Sequence, residues 1–384
     1  MKKVLFFPLL RMPSGHHQVA DTITSYLRKR NPKFICKKID LLSEWNPVVE
    51  SLVTKTYLEW IHHFPKTYAW AYKQMAHTSK KQRSYKYYEF LFLNKMKQII
   101  SEENPDLIIC THGFPSYFLS RLKMRDQCHA PIINVYTDFF VNDVWGIAGI
   151  DYHFVPSQAV KRELLKKDPT SQIFVTGIPI SEQFEEQPHL IKRGSGYHVL
   201  VSGGSVGLGG MTEILRRQND NETIKYIVLC GKNKKLYQSI VNLGRSNIHP
   251  LPYITSKEKM NELYTKVDAI ITKPGGVTIS EALKKGLPIF IHSALPGQEE
   301  INLSLLKERK LVHELDDEHP LEDQITDYFK DPSLVDQFHY SLQSYLSELE
   351  ARGPEQISTL INSLLEEKCL KAFRYEIERR KKVQ

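Results

Sequence analysis

At 384 residues the chain is longer than one domain usually runs and fits two. Hydrophobic residues make up 41% and charged residues 25%, an ordinary globular balance that excludes a disordered or collagen-like chain. The 52 Lys and Arg outnumber the 44 Asp and Glu, and the formal charge of +8 suits an anionic partner without identifying one.

The apolar run over residues 4–10 is short, Pro8 interrupts it, and Arg11 follows without a small-residue cleavage site. It predicts a buried first strand, not a signal peptide. Pro13-Ser14-Gly15-His16-His17-Gln18 then leads into a helix predicted over residues 18–30. A histidine at a glycine turn beyond a strand is suited to removing a proton from a hydroxyl, because its ordinary pKa lies near ~6.5. A structural imidazole bonded to backbone fits the same position. Residues 55–97 carry nine Lys or Arg against two Glu, interleaved with rings such as Tyr57, Trp60, Phe64, Trp70, Tyr88 and Phe90. Rings and lysines suit an anionic membrane surface, while the spacing of Tyr57, Trp60 and Phe64 also fits a buried helical stripe. No known nucleic-acid reading module occurs there, so no nucleic-acid partner is expected.

Further strands are predicted over residues 107–111, 132–136 and 152–155, then 197–202, 226–230, 269–272 and 288–292, with helices between them. This alternation predicts an α/β fold of parallel sheets in two halves, with ligands at the carboxyl ends of the strands. The expected organisation is an amino-terminal domain over residues 1–180 and a linker over 181–196. A carboxyl-terminal domain over 197–340 and a helical segment over 341–384, packing back toward the first domain, follow. No stretch approaches ~18 uninterrupted apolar residues, so no membrane span is expected. Five scattered cysteines without a C-x-x-C pair read as reduced cytoplasmic thiols and not as a zinc site.

The carboxyl-terminal half holds the densest motif, Thr272-Lys273-Pro274-Gly275-Gly276-Val277-Thr278-Ile279-Ser280-Glu281. A strand ends, two glycines turn, and a helix is expected to begin near Thr278, which makes an amide cradle for phosphate. Glu281 is placed to accept the hydroxyls of a ribose. The same residues also fit a capping box, with Thr278 as cap and Glu281 returning to its amide. Ser202-Gly203-Gly204 opens a second glycine loop after a strand, and Cys230-Gly231-Lys232-Asn233 follows another. Gln298, Glu299 and Asn302 fit either sugar contacts or a polar first turn.

The block from Thr272 through Glu281, with Pro296-Gly297-Gln298-Glu299, resembles the donor signature of glycosyltransferase family 28. The likeness is to its diacylglycerol glucosyltransferase and monogalactosyldiacylglycerol synthase branch. The resemblance implies a GT-B fold, two Rossmann-like domains facing each other across a cleft. It also implies a UDP-sugar substrate, an inverting transfer to a lipid such as diacylglycerol, and no cofactor or essential metal. Glu281 would hold the ribose, and the backbone near Pro252, Tyr253 and Ile254 the uracil. Gly275, Gly276, Val277 and Thr278 would contact the phosphates, with Lys273, Ser202, Gly203 and Gly204 in the same donor site, and Gln298 and Glu299 the sugar. His16 would be the base, and Asp138, in Thr137-Asp138-Phe139, would orient that base or the acceptor hydroxyl. Gly15, His17 and Trp145 would belong to the acceptor side. Relatives carry histidine where this chain has Asn142 and Ile147. The implied setting is peripheral, at the inner face of the cell membrane. A different acceptor, a UDP-sugar epimerase and a non-catalytic nucleotide-sugar sensor are the alternatives.

Overall fold

Runs such as Leu107–Cys110 and Ile132–Val135 show no polar alternation, the pattern of strands covered on both faces, and every residue in them is buried. The computed structural model describes residues 2–9, 14–64, 67–68, 70, 86–184, 196–203, 215 and 223–366. Among these the chain divides into two compact units, one running to Glu182 and resuming at Glu348, the other spanning Gln183–Ser347.

The first unit contains β1 (Lys3–Phe7), α1 (Gly15–Arg30), β2 (Ile35–Lys38), α2 (Leu41–Trp45), α3 (Pro47–His63) and α4 (Lys86–Glu103). It continues with β3 (Leu107–Cys110), α5 (Gly113–Met124), β4 (Ile132–Val135), β5 (Tyr152–Val155), α6 (Gln158–Lys167) and β6 (Gln172–Val175). The second unit holds β7 (Tyr197–Ser202), β8 (Ile224–Leu229), α7 (Lys234–Val241), β9 (Ile248–Leu251), α8 (Lys257–Lys266) and β10 (Ala269–Thr272). Then come α9 (Gly276–Lys284), β11 (Ile289–Ile291), α10 (Gln298–Glu308), β12 (His313–Glu314), α11 (Leu321–Lys330) and α12 (Pro332–Ser347). The last described helix, α13 (Gly353–Leu365), belongs to the first unit and packs on α1.

Each unit is built on a six-stranded parallel sheet, in the orders β2-β1-β3-β4-β5-β6 and β12-β11-β10-β7-β8-β9. Both sheets have a point where the chain reverses its direction of strand addition. In the first it lies between β1 and β3, in the second between β7 and β10. At such a point consecutive crossovers leave on opposite faces and open a crevice beyond the strands' carboxyl ends.

The four edge strands, β2, β6, β9 and β12, are absent from the sequence-based expectation. An edge strand need not be uniformly apolar: β2 reads Ile-Cys-Lys-Lys, and β9 contains Pro250, tolerable where no inner ladder bond is required. Helix α1 begins three residues before the start expected at 18, and α9 begins two residues before Thr278.

The free edge of β6 is covered by the returning chain. Val175 N–H donates to Glu350 Oε2 at 3.0 Å and Glu350 N–H donates to Val175 O at 2.6 Å. Lys161 Nζ donates to both carboxylate oxygens of Glu350, at 2.8 and 3.0 Å. Glu350 is buried, so losing it strands a lysine and an edge amide together. Glu350→Ala should therefore lower stability by about 3 kcal/mol, with Glu350→Gln losing less, as read by urea denaturation.

Candidate functional site

The amino-terminal half-site lies at the crevice between β1 and β3. Ser14, extended at φ −144°, precedes α1, so Gly15, His16 and His17 form the first turn beyond β1. His16 Nδ1 is 2.8 Å from the carbonyl oxygen of Thr111, beyond β3, and 2.8 Å from Thr137 Oγ1, beyond β4. A carbonyl oxygen can only accept, so Nδ1 carries the proton and the lone pair is left on Nε2. Burial lowers the His16 pKa from its ordinary value, opposed by the charge of Asp138 and the Thr111 bond, with His17 lowering it further. An imidazole in this state is neutral near pH 7 and basic at Nε2.

His112 adds a second ring, 4.6 Å from His16 between centroids and nearly perpendicular. Its Nδ1 accepts the Phe114 N–H at 3.0 Å and caps α5. Neither Thr111 nor His112 is recognisable from its stretch of sequence, where they merely end a core strand. The available signal was the pair His112-Gly113 beyond a strand, and its meaning depends on β3 lying next to β1.

Trp145 is buried, its ring 4.4 Å from that of Tyr136. A Cβ added at Gly113 would meet the Trp145 indole at 3.3 Å, which explains a glycine at the first position of α5. Trp145 thus supports the turn that carries His112. Asn142 accepts the Val144 N–H at 3.1 Å and shapes a turn, while Ile147 packs on the core.

The carboxyl-terminal half-site lies between β7 and β10. Gly275 is the residue preceding α9 and, lacking a side chain, leaves the first-turn amides of Gly276, Val277 and Thr278 without a side-chain cap. Its φ of −83° is open to any residue, and among the described residues a Cβ there would meet nothing within 4 Å. Neither strain nor packing among the described residues requires glycine at that position, and they leave the space above the turn open. Thr278 lies inside the helix, so the capping-box reading is corrected.

Glu281 is buried one turn further on. Tyr264 O–H donates to its Oε2 at 3.3 Å, and Lys257 Nζ is 3.6 Å from its Oε1. Burial raises the Glu281 pKa, opposed by Lys257 and the Tyr264 bond. Asn302, buried on α10, donates its amide to Pro274 O at 3.1 Å. It braces the glycine turn, which corrects its reading as a sugar contact at the mouth. Glu299 Oε2 accepts the Leu295 N–H at 2.6 Å and lies near Lys273, whose pKa is lowered by burial and raised by Glu299. Gln298 opens α10.

Beyond β8, Lys232 Nζ sits 5.3 Å from the ring centre of Tyr253, which follows β9; Tyr253 is exposed and Ile254 half-buried. Ser202 and Gly203 are buried at the end of β7, whereas Gly204 lies outside the described residues. The sequence-based expectation missed His292, at the end of β11 beside Lys273. Among the described residues its buried Nε2 has no hydrogen-bond partner, and burial and Lys273 push its pKa down to about 4.

Two family models match the chain: "Monogalactosyldiacylglycerol (MGDG) synthase" over residues 16–180 and "Glycosyltransferase family 28 C-terminal domain" over residues 198–294. The chain is 41% identical over 357 residues to the uncharacterized glycosyltransferase YkoN of Bacillus subtilis, covering 92% of this chain and 95% of YkoN. It is 27% identical over 365 residues to a processive diacylglycerol beta-glucosyltransferase of Bacillus thuringiensis, covering 92% and 91%. Among solved structures it resembles MurG of Acinetobacter baumannii, with a TM-score of 0.58, 13% identity, and 96% and 100% of the two chains covered. That likeness concerns the fold, which is GT-B-like as expected.

Burial also holds His153 uncharged, at a pKa of about 4, with its Nδ1 2.9 Å from the Tyr136 hydroxyl. The unfolded chain protonates these imidazoles near 6.5, so below that pH it binds more protons than the folded one. Stability should be complete above about pH 7 and decline as pH falls from 6.5 toward 4. Urea midpoints across that window should show the decline, with a shallower slope in His292→Gln.

Proposed function

The chain belongs to glycosyltransferase family 28, in the branch of MGDG synthases and processive diacylglycerol glucosyltransferases. From that premise we propose that it transfers a hexose from a UDP-sugar to a lipid hydroxyl such as that of diacylglycerol, with inversion. The observation that carries the reading is the tautomer of His16: Nδ1–H is bound to the Thr111 carbonyl, and Nε2 remains a base.

In this scheme the lipid oxygen forms a bond to the anomeric carbon as its proton passes to His16 Nε2. The bond from that carbon to the diphosphate oxygen breaks, and UDP departs with the electron pair. Attack opposite the leaving group inverts the centre. Asp138 favours the imidazolium formed at His16. The open amides of Gly276, Val277 and Thr278, at the positive end of α9, and the cation of Lys273 face the charge that develops on the diphosphate. These groups take the neutralising role in the scheme, which uses no metal. Glu281 receives the ribose hydroxyls, Tyr253 and Ile254 border the uracil, Ser202, Gly203 and Gly204 flank the phosphates, and Gln298 and Glu299 contact the sugar. Gly15 and His17 line the acceptor side, with Trp145 supporting it from beneath.

Association with an anionic membrane face is part of the proposal. Val48, Leu52 and Val53 on α3 are exposed, as are Phe64, Trp70, Tyr88 and Phe90, whereas Phe92 is core. Among the described residues no helix is long and apolar enough to cross a membrane, so contact would be peripheral. The part of the aromatic, basic stretch over residues 71–85 lies outside the described residues. An acceptor other than diacylglycerol is the second reading, favoured by Asn142 and Ile147 serving the turn and the core.

Incubation with UDP-glucose, UDP-galactose or UDP-N-acetylglucosamine and lipid extracts, read by mass spectrometry, tests the transfer. A hexosylated lipid is expected. A polyprenyl product would favour the second reading, and an altered free sugar without acceptor would indicate an epimerase. UDP binding without any product would indicate a sensor. His16→Ala should depress kcat by about 10²–10⁴-fold with donor affinity nearly kept. Glu281→Ala should instead weaken donor binding by about 10–100-fold. Gly275→Ala should leave the melting temperature unchanged or slightly higher while lowering UDP affinity in calorimetry, since its Cβ enters only the open space above the turn.

A further inference from the structure

His112 touches the proposed base, yet the scheme above gives it no part. Its Nδ1 lone pair is engaged by the Phe114 N–H, the cap of a twelve-residue helix. Protonating that nitrogen would break the cap and place a positive charge at the positive end of the α5 dipole. His16 is tied the other way round: Nδ1 already donates to Thr111 and Thr137, which leaves the lone pair on Nε2. Of two touching imidazoles, therefore, only one is free to take up a proton.

We propose that His112 is a positioning residue for proton transfer: its own helix cap keeps it uncharged, and its ring walls the His16 imidazole so that proton uptake is confined to His16 Nε2. The proposal rests on the reading of His16 as the base. The groups around His16 are the Thr111 carbonyl and His112 from the β3–α5 junction, Thr137 and Asp138 from beyond β4, and His17 on α1. Asp138 favours the imidazolium, while His17 and the surrounding protein oppose it. Taking away the His112 ring lets water reach one side of His16 and raises its pKa toward the ordinary value.

The test uses the full-length enzyme and three variants. His112→Asn keeps a capping acceptor but removes the ring, His112→Phe keeps a ring but removes the cap, and His16→Ala removes the base. Two readouts are taken: the acid limb of kcat/KM against pH, and the ¹⁵N shifts of the His16 ring nitrogens through a pH titration without substrate. In His112→Asn the His16 midpoint should rise by about one pH unit, carrying the acid limb with it, while KM for the UDP-sugar is unchanged. In His112→Phe the midpoint should stay low and the melting temperature fall. An unchanged His16 midpoint in His112→Asn, or a wild-type titration in which His112 protonates before His16, overturns the proposal. Retained activity in His16→Ala would instead overturn the base reading, while the NMR titration judges His112 independently of turnover.

Discussion

One hydrogen bond organises the amino-terminal half-site. The Thr111 carbonyl cannot donate, so its 2.8 Å contact obliges His16 to keep its proton on Nδ1. A backbone carbonyl is a firm arbiter because the strand ladder holds it in place. Thr111 directly follows β3, which pairs with β1 on one side and β4 on the other. The chemistry available to His16 thus depends on the register of three parallel strands, and Thr137, beyond β4, adds a second contact to the same nitrogen.

The carboxyl-terminal half-site is held open by comparable means. Asn302 bonds the Pro274 carbonyl, Glu299 bonds the Leu295 amide, and Glu300 accepts the Gly297 N–H at 3.0 Å. Side chains of α10 therefore fix the loops around the glycine turn, and the amides that open α9 are left without a side-chain cap. Glu281 shows the same balance. Burial works against its charge, and Lys257 and Tyr264 sustain it. A buried carboxylate with partners on only part of its lone pairs keeps capacity for two further hydroxyl donors.

The elements legible in the sequence were those whose signal is local. The inner strands of both sheets were recognisable because burial on two faces demands an unbroken apolar run. The edge strands were not, because β2 and β9 meet no such demand, and β12 is two residues long. The early starts of α1 and α9 escaped for a related reason: Gly15-His16-His17 and Gly276-Val277 read as turns until the backbone is seen to wind. Glu350 carried no signal at all, since an acidic residue near the end of a chain gives no hint that it covers the edge of β6.

From the sequence alone followed the α/β class, the family, and the candidate residues His16, the Lys273-Pro274-Gly275-Gly276 turn and Glu281. Each is announced by neighbours within a few positions. Tertiary structure decided what those residues can do. The partners of His16 lie 95 and 121 residues away, and those of Glu281 approach from another helix. Which nitrogen bears the proton, and which groups oppose the burial of a carboxyl, are properties of contacts between distant segments. Strand order sets those contacts, and no local pattern encodes it.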